Sequence, residues 1–534
     1  MRELLLALAL AWAPIPVLVA QTAPATVNDA RLVAFDARVE AVRKRFDVPG
    51  IAVAIVQDGR VVTARGYGLR EVGKPAPVDA HTLFAIASNT KAFTATALEM
   101  LAEDGKLDMD DRVIDHLPWF RMGDPYVTRE MRVRDLLAHR SGLSLGAGDL
   151  LFWPPSDYSN REVAERLANV PLTGQFRGQY AYDNILYGVA QLVVEQASGQ
   201  SFKDFLRERI FAPLGMRETR YNSDDLKPGD NVATGHARPD FGKSLVTVGT
   251  LSWRNVAGAG GLYASVHDLG KWMNVQLANG VISGRGASAK RLFPAARQRR
   301  MWTMLTPIAV AEPAVPELQP MVPNFLGYGE GWMLSDYRGE KLVWHTGGWP
   351  GMVSRLTLVP GRKIGVVVLT NQEAGAAFNA LTYEALDMML GGARHDWLDA
   401  YAKAVAKADA LADESWKKLS AARDAKSKPS LPLARYVGTW RDPWYGDVFV
   451  RREGKGLSMR FSRTPALSGR LEHWQHDSFI VRWDDRTLNA DAFVYFALEP
   501  DGTIREMRMK PVSPKTDFSF DFQDLRFAPV MAAP

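Results

Sequence analysis

The sequence predicts a mixed α/β fold of the α+β type, with an antiparallel sheet, a helical layer and a small C-terminal all-β domain. β-Rich runs occur near both ends of the first 395 residues, and helical stretches alternate with Gly-, Pro- and Asp-rich loops between about 130 and 280. Short alternating strands follow residue 430. The 534 residues, 47% of them hydrophobic, suffice for a large core in two or three domains.

Residues 1–25 are predicted to be a secretory signal peptide. Arg2 precedes an apolar run over residues 4–12, and cleavage is expected after Ala20 or Ala25. The run is shorter than the roughly 20 residues that a membrane span needs. We therefore expect a periplasmic or secreted protein without stable membrane insertion after signal removal.

Charge and cysteine content exclude several classes of protein. The 65 basic and 60 acidic residues leave a net charge of +5 without a dense basic patch, so no nucleic-acid partner is expected. The chain has no cysteine, which excludes disulfides, thiol nucleophiles and thiolate metal sites. Its nine histidines form no His-Glu-x-x-His motif, and His473 and His476 are interpreted as surface residues. No metal site is therefore expected.

The elements of the first domain, residues 26–395, follow in order. Asp58-Gly59 joins two β-rich runs, residues 51–57 and 60–66, and predicts a hairpin. Apolar spacing predicts a helix from Ser88 to about Glu103. Later strands are predicted at 342–344, 354–359 and 364–369. One sheet therefore takes strands from both ends of the domain.

Three further segments are predicted. Residues 280–325 combine a basic run with a Pro-rich stretch and are interpreted as an insertion or lid. Residues 396–430 have the composition of a helical linker. Residues 431–534 contain short strands, such as 447–451, 478–483 and 493–498, whose spacing predicts a small barrel or sandwich.

Ser88 and Lys91 are the candidate catalytic pair. They are three residues apart on a predicted helix, which places both on one face at roughly 5–6 Å between Cβ atoms. A desolvated lysine can take the proton of a serine hydroxyl, and a serine that opens a helix lies among unpaired backbone N–H groups. The pattern alone is weak, because Ser415 and Lys418 repeat it on the exposed linker helix.

Ordered motifs make the assignment more specific. They are Ser88-Asn-Thr-Lys91, Tyr182-Asp-Asn184 and His345-Thr346-Gly347, supported by Pro213-Leu-Gly-Met216 and Tyr328-Gly-Glu-Gly-Trp332. Over about residues 30–390 the sequence resembles the serine β-lactamase and penicillin-binding-protein superfamily, in the branch of class C β-lactamases, D-alanyl-D-alanine carboxypeptidases and esterases. Tyr436-x-Gly438-Thr-Trp440 resembles the start of a lipocalin-like barrel appended to that branch.

The resemblance implies a β-lactamase/transpeptidase-like sheet and helical cluster, with Ser88 in the groove between them and no metal or organic cofactor. It implies that Tyr182 shuttles protons, that His345 flanks the nucleophile, and that the Ser88 and Gly348 amides form the oxyanion hole. The implied substrate-binding residues are Asn184, Thr346 and Gly347. Because His345 stands where some relatives carry lysine, strong β-lactamase activity is not expected.

Other candidate motifs are weaker. Tyr158-Ser159-Asn160 is a literal Tyr-Ser-Asn but lies in a loop without the flanking residues of the family. Gly142-Leu-Ser144-Leu-Gly146 matches a nucleophile elbow but lacks the preceding strand and following helix. His139 and Ser141 are interpreted as structural, and the glycines at 258, 260 and 261 as residues that allow tight turning.

The predicted function is hydrolysis of peptide amide bonds through an acyl-enzyme, with D-residue, peptidoglycan-derived or non-ribosomal peptides as first choice. A carboxylesterase or weak β-lactamase is the alternative on the same fold, because one fold hosts several chemistries. A penicillin-binding sensor that does not turn over is the alternative of another class. The expected partner is a small-molecule or peptide substrate, and the sequence has no signal for an oligomeric state.

Overall fold

A computed structural model describes residues 29–284 and 286–530, so the predicted signal peptide lies outside the described residues. Within those ranges, no helix combines the length and apolar character required for a membrane span.

The strands of the first domain are β1 (Gly50–Gln57), β2 (Arg60–Gly68), β3 (Phe84–Ala85), β4 (Gly235–Ala237), β5 (Val246–Val248), β6 (Tyr263–Ala264), β7 (Val281–Ser283), β8 (Lys290–Arg291), β9 (Thr306–Pro307), β10 (Leu326–Tyr328), β11 (Met333–Tyr337), β12 (Glu340–Trp349), β13 (Met352–Val359) and β14 (Ile364–Thr370). Its helices are α1 (Asp29–Arg45), α2 (Lys91–Glu103), α3 (Val113–His116), α4 (Pro125–Glu130), α5 (Asn160–Arg166), α6 (Ile185–Ser198), α7 (Phe202–Leu206), α8 (Ala212–Leu214), α9 (Ala257–Gly260), α10 (Val266–Leu277), α11 (Ala295–Met301) and α12 (Gly375–Leu390).

The main sheet has the strand order β2-β1-β14-β13-β12-β11-β10-β9, and its neighbouring strands are antiparallel. The N-terminal hairpin pairs with β14, which confirms a sheet built from both ends of the domain. At the hairpin turn Asp58 and Gly59 have φ values of 50° and 79°. Positive φ at both central residues is the type I′ geometry that this dipeptide favours.

Helices cover both faces of the sheet, where a single helical cluster was expected. Along β1, the residues Ile51, Val53 and Ile55 belong to a core that includes α1 and α12. The alternate residues, Ala52, Ala54 and Val56, belong to a second core that includes α2 and α10. Because successive side chains of a strand point to opposite faces, an apolar run such as β1 needs a packing partner on each side.

Residues 280–325 are tied to the domain rather than forming a separate lid. Arg297 and Arg300 contact the buried carboxylate of Glu99 on α2, each at 3.2 Å. Strand β9 extends the edge of the main sheet by pairing with β10. Part of the basic run thus neutralises a buried charge, an arrangement that the sequence pattern did not indicate.

The predicted linker is a long helix with a buried start. Helix α13 (Trp397–Ala421) begins with Trp397, which is fully buried and donates its Nε1–H to Asp387 at 2.9 Å. Most of the helix is exposed, and near its end the ring of Trp416 contacts that of Trp474 in the second domain, with centroids 5.5 Å apart. The segment therefore packs against both domains.

The second domain is a nearly closed barrel, which confirms the predicted all-β fold. Its strands are β15 (Gly438–Asp442), β16 (Gly446–Glu453), β17 (Gly456–Phe461), β18 (Ser468–Gln475), β19 (Ser478–Trp483), β20 (Ala492–Leu498), β21 (Ile504–Pro511) and β22 (Ala528–Pro529). They form one antiparallel sheet in the order β21-β20-β19-β18-β17-β16-β15-β22. Two backbone hydrogen bonds between Met507 and Phe527, at 2.9 and 3.1 Å, bring its edges together.

Candidate active site

Ser88 lies in a tight turn just before α2. Residues Ala87–Thr90 form a 3-10 turn, and the α-helix begins at Lys91, so the predicted helix starts three residues later than expected. Ala87 has a φ of 46°, a left-handed conformation that non-glycine residues adopt at a cost. Such a turn holds the Ser88 side chain at a defined place, and Ser88 is partly exposed while its neighbours are buried.

Two strands of the sheet hold this turn in place. Ser354 on β13 donates a hydrogen bond to the carbonyl oxygen of Ile86 at 2.8 Å and accepts one from Nδ2 of Asn89 at 2.8 Å. On β12, a Cβ atom at Gly347 would overlap that same carbonyl oxygen. Glycine at 347 therefore lets β12 lie directly against the Ser88 turn.

Lys91 is fully buried, and its Nζ atom has three oxygen neighbours. They are Oγ of Ser88 at 2.9 Å, Oδ1 of Asn184 at 2.7 Å and the carbonyl oxygen of Ala259 at 2.9 Å. Burial lowers the pKa of Lys91 to about 7, partly opposed by the carboxyl groups of Asp149 and Asp183. Lys91 can therefore exist as a neutral amine near neutral pH.

The neutral form of Lys91 has one arrangement that satisfies all three neighbours. The carbonyl oxygens of Asn184 and Ala259 can only accept hydrogen bonds, so the two N–H groups of a neutral amine point to them. The remaining position holds the lone pair, which faces Oγ of Ser88. The amine is thus directed to take the hydroxyl proton.

Tyr182 completes the contacts around Ser88. It is partly buried, its hydroxyl interacts with the Ser88 side chain, and its ring centre lies 4.9 Å from Nζ of Lys91. Burial raises the pKa of Tyr182 well above its usual value, so the group is a neutral hydroxyl at physiological pH. The ring packs on His139, with centroids 4.1 Å apart.

The predicted substrate-binding amide of Asn184 is engaged by protein groups on both sides. Its Oδ1 accepts from Lys91, and its Nδ2 donates to Oδ2 of Asp149 at 2.8 Å. Burial raises the pKa of Asp149 to about 8. Asn184 therefore links Lys91 to a second buried ionisable group.

His345 lies on β12 beside Tyr182 and is neutral. Burial lowers its pKa to about 3. Nδ1 lies 2.5 Å from the carbonyl oxygen of Thr346 and must carry the proton, so Nε2 accepts from the Tyr328 hydroxyl at 2.9 Å. Further along the strand, Gly348 is exposed next to the buried Gly347. His345 therefore supplies no positive charge to the groove.

The residues interpreted as structural make structural contacts. Nδ1 of His139 accepts from the backbone N–H of Asp183, and Ser141 donates to the Asp183 carboxylate at 3.0 Å. In α9, a Cβ atom at Gly258 would lie 2.7 Å from the carbonyl oxygen of Tyr187. Glycine there allows the close approach that brings the Ala259 carbonyl to Lys91.

The residues of the three alternative sequence motifs make contacts with groups other than Ser88 and Lys91. The Tyr158 hydroxyl donates to the carbonyl oxygen of Tyr445 in the barrel, and Ser159 caps the N-terminus of α5. Ser144 donates to the Asp524 carboxylate at 3.0 Å. Ser415 bonds to its own helix backbone on an exposed face of α13.

The comparisons with known proteins identify the family of the first domain. Residues 35–387 match the family model described as Beta-lactamase. The chain belongs to the beta-lactamase family. Residues 422–529, which cover the barrel, match a separate model described as a domain of unknown function, DUF3471.

One curated relative and one solved structure match this beta-lactamase-family chain over both domains. It is 28% identical to Unguisins hydrolase ungD of Aspergillus violaceofuscus, covering 88% of this chain and 86% of the relative. It is 27% identical to Penicillin-binding protein 4* of Bacillus subtilis, covering 64% of this chain and 73% of the relative. The structure of an octameric penicillin-binding protein homologue from Pyrococcus abyssi has a TM-score of 0.58 at 20% identity, covering 93% of this chain and 99% of that one. The chain is thus a member of the beta-lactamase family, which comprises serine hydrolases, amidases and peptidases.

Three residues of the beta-lactamase-family site were not found by sequence reasoning. Asp149 contacts Asn184, Tyr328 contacts His345, and Ser519 of the second domain contacts Asp149 at 2.7 Å. Tyr328 belongs to a supporting motif, which could have indicated it. Asp149 and Ser519 lie in segments without a recognisable pattern and meet only in the folded chain.

One group within residues 29–284 and 286–530 has the side chains for a metal site. The ligand atoms of His81, Glu218 and His267 lie within 4.8 Å of one another. Hydrogen bonds already account for the orientation of Glu218, since it contacts Nδ1 of His81 at 2.7 Å and accepts from Ser265. We therefore assign no metal to this group of the beta-lactamase-family domain.

Proposed function

We propose that this chain is an exported serine hydrolase that cleaves amide bonds of peptides through a covalent ester on Ser88. The contact between Nζ of Lys91 and Oγ of Ser88 carries the proposal, because a buried amine with a lowered pKa is a base suited to that hydroxyl. The relative named as a hydrolase of unguisins aligns over both domains and supports a hydrolytic reaction.

The proposed acylation begins with proton transfer from Ser88 to Lys91 as Oγ attacks the substrate carbonyl carbon. The negative charge on the carbonyl oxygen is held by the backbone N–H groups of Ser88 and Gly348. The neutral hydroxyl of Tyr182, next to Oγ, gives its proton to the leaving nitrogen and regains one from Lys91. Water then attacks the ester by the reverse proton route and releases the acid.

The neutral state of His345 favours amides and simple esters over typical β-lactams. A lysine at this position would place a positive charge where a substrate carboxylate could bind, whereas His345, with a pKa of about 3, is uncharged. Peptides with D-residues, of peptidoglycan or non-ribosomal origin, are the proposed substrate class. Thr346 and Gly347, on the strand against the Ser88 turn, are proposed to contact them.

A substrate panel tests this proposal. It contains D- and L-amino-acid amides, short peptides, p-nitrophenyl esters and nitrocefin, with kcat/KM measured against the Ser88→Ala variant. We expect the highest kcat/KM for D-amino-acid amides or peptides and none above background for Ser88→Ala. Preference for the esters or nitrocefin would replace the peptidase proposal with the esterase or β-lactamase alternative.

Intact-mass measurements separate an enzyme from a sensor. After addition of a penicillin or a labelled fluorophosphonate, we expect an adduct on Ser88, and the penicillin adduct should disappear with time. The Ser415→Ala variant, which alters the second Ser-x-x-Lys pair, is the matched control and should react like the wild type. A lasting penicillin adduct without substrate turnover would indicate a sensor, and no adduct would contradict both functions.

A further inference from the structure

A segment of the second domain, residues 517–524, lies beside the catalytic groups of the first domain. The ring of Phe518 contacts the ring of Tyr182 edge to face, with centroids 5.9 Å apart and an interplanar angle of 87°. A Cβ atom at Gly146 would lie 2.7 Å from the carbonyl oxygen of Phe518. Both the side chain and the backbone of Phe518 therefore lie close to residues of the first domain at the site.

Residues 517–524 form hydrogen bonds with the turn that contains Asp149. The buried carboxylate of Asp521 accepts the backbone N–H of Gly148 at 2.7 Å and that of Leu150 at 3.1 Å, on either side of Asp149. The hydroxyl of Ser519 donates to Oδ2 of Asp149 at 2.7 Å. Both the backbone and the side chain of this turn are thus held by the second domain.

Asp149 in turn decides which way the Asn184 amide faces. A carboxylate oxygen that already accepts from Ser519 also accepts from Nδ2 of Asn184, at 2.8 Å. The amide oxygen is therefore directed to Lys91, at 2.7 Å. If the amide turned round, its N–H groups would face Lys91 and compete for the lone pair that faces Ser88.

We propose that Asp149, Ser519 and Asp521 are positioning residues, through which the second domain fixes the Asn184 amide and so directs Lys91 toward Ser88. This inference rests on the proposed function, in which Lys91 is the base. None of the three residues is proposed to touch substrate. Their contribution is to keep one hydrogen-bond arrangement around the amine.

The test uses the full chain and a labelled fluorophosphonate, whose reaction forms a bond from Oγ of Ser88 to phosphorus and releases fluoride. At about pH 9, where Asp149 is anionic, we expect the labelling rate to fall roughly tenfold in Ser519→Ala and about a hundredfold in Asp149→Ala, as for loss of hydrogen bonds to a charged group. Ser519→Thr keeps the hydroxyl and should recover most of the rate. Gln523→Ala, an exposed position of the same segment, is the matched control and should label like the wild type.

A crystal structure of the full-length Asp149→Ala variant gives a readout that does not depend on activity. We expect Asn184 to lose its contact with Lys91 or to turn its amide. Wild-type labelling rates in both Ser519→Ala and Asp149→Ala, or an unchanged Asn184 contact in the crystal, would overturn the inference. Absence of any adduct in the wild type would instead contradict the proposed function, while the crystal structure would still decide the positioning role.

Discussion

Nζ of Lys91 lies 2.9 Å from Oγ of Ser88, inside a region where the lysine side chain is fully excluded from solvent. Removing the amine in Lys91→Met should lower the rate of Ser88 labelling by about 10²- to 10⁴-fold, the usual contribution of a general base. Labelling is measured by intact mass against time. Lys418→Met, at an exposed position of α13, is the control, and equal rates in the two variants would remove Lys91 from the mechanism.

The labelling rate should rise with pH and level off above a midpoint of about 7, the pKa to which burial lowers that of Lys91. Below the midpoint the amine carries a proton and cannot accept one from Ser88, whereas above it the lone pair is free. The titratable groups around Lys91 are Asp149, Asp183, Tyr182, Tyr187, His139 and His345.

The pH profile separates Lys91 from its neighbours. His345, with a pKa of about 3, and Tyr182, with a pKa well above its usual range, do not change charge near neutrality. Asp149, with its pKa raised to about 8, becomes anionic as pH rises and then favours the protonated amine, which broadens the profile. A rate that stays constant or falls between mildly acidic and neutral pH would contradict Lys91 as the base.

Gly347→Ala should disturb the Ser88 turn. The added Cβ atom would overlap the carbonyl oxygen of Ile86 and displace β12 from the turn. A displacement of about 1 Å at a catalytic group costs roughly a hundredfold in rate, and we expect kcat/KM to fall by about that factor. Gly249→Ala, where a Cβ atom meets open space, serves for comparison, and similar kcat/KM values for the two variants would show that the close approach does not matter.

Tyr328→Phe should destabilise the fold. It removes the hydroxyl that donates to the buried Nε2 of His345, which then lacks a partner. We expect the free energy of unfolding in urea to fall by about 1–3 kcal/mol, the cost of an unsatisfied buried polar atom. Tyr495→Phe, at a residue that is 37% exposed, should leave that free energy nearly unchanged. Equal stability of both variants would mean that His345 finds another donor.

Replacing both Arg297 and Arg300 by alanine should lower the free energy of unfolding of the protein. Glu99 is fully buried, and these guanidinium groups contact its carboxylate at 3.2 Å each. Loss of both leaves an uncompensated buried charge, for which we expect about 3–5 kcal/mol of lost stability in urea unfolding. Arg299→Ala, an exposed neighbour on α11, is the control, and an equally small effect in both would show that the two guanidinium groups do not stabilise the fold.

Local sequence signals predicted much of the fold. The Asp58-Gly59 dipeptide was enough to predict the hairpin, because the conformation of the turn depends on those two residues. The strands of the barrel followed from alternation, and the two-sided cover of β1 was missed although its unbroken apolar run indicated it. The predicted start of α2 was three residues too early, because the conformation of Ala87 depends on the strands around it.

The candidate site could be predicted only where its residues lie in motifs. Ser88, Lys91, Tyr182 and His345 were found in this way, and the structure brings them together. Asp149 could not be found, because a single acidic residue in a loop has no pattern and its importance comes from its partners. The neutral state of His345 also depends on burial, which the sequence does not specify.

The contact between Asp149 and Ser519 joins positions 370 residues apart in the chain. During synthesis from the N-terminus, Ser88, Lys91, Tyr182 and His345 all leave the ribosome before the hydroxyl at 519 exists. In the proposed mechanism, a nascent chain that ends before residue 519 holds the nucleophile and its base without the hydroxyl that contacts Asp149. The proposed hydrolytic activity would then reach its full rate only after this part of the barrel has folded.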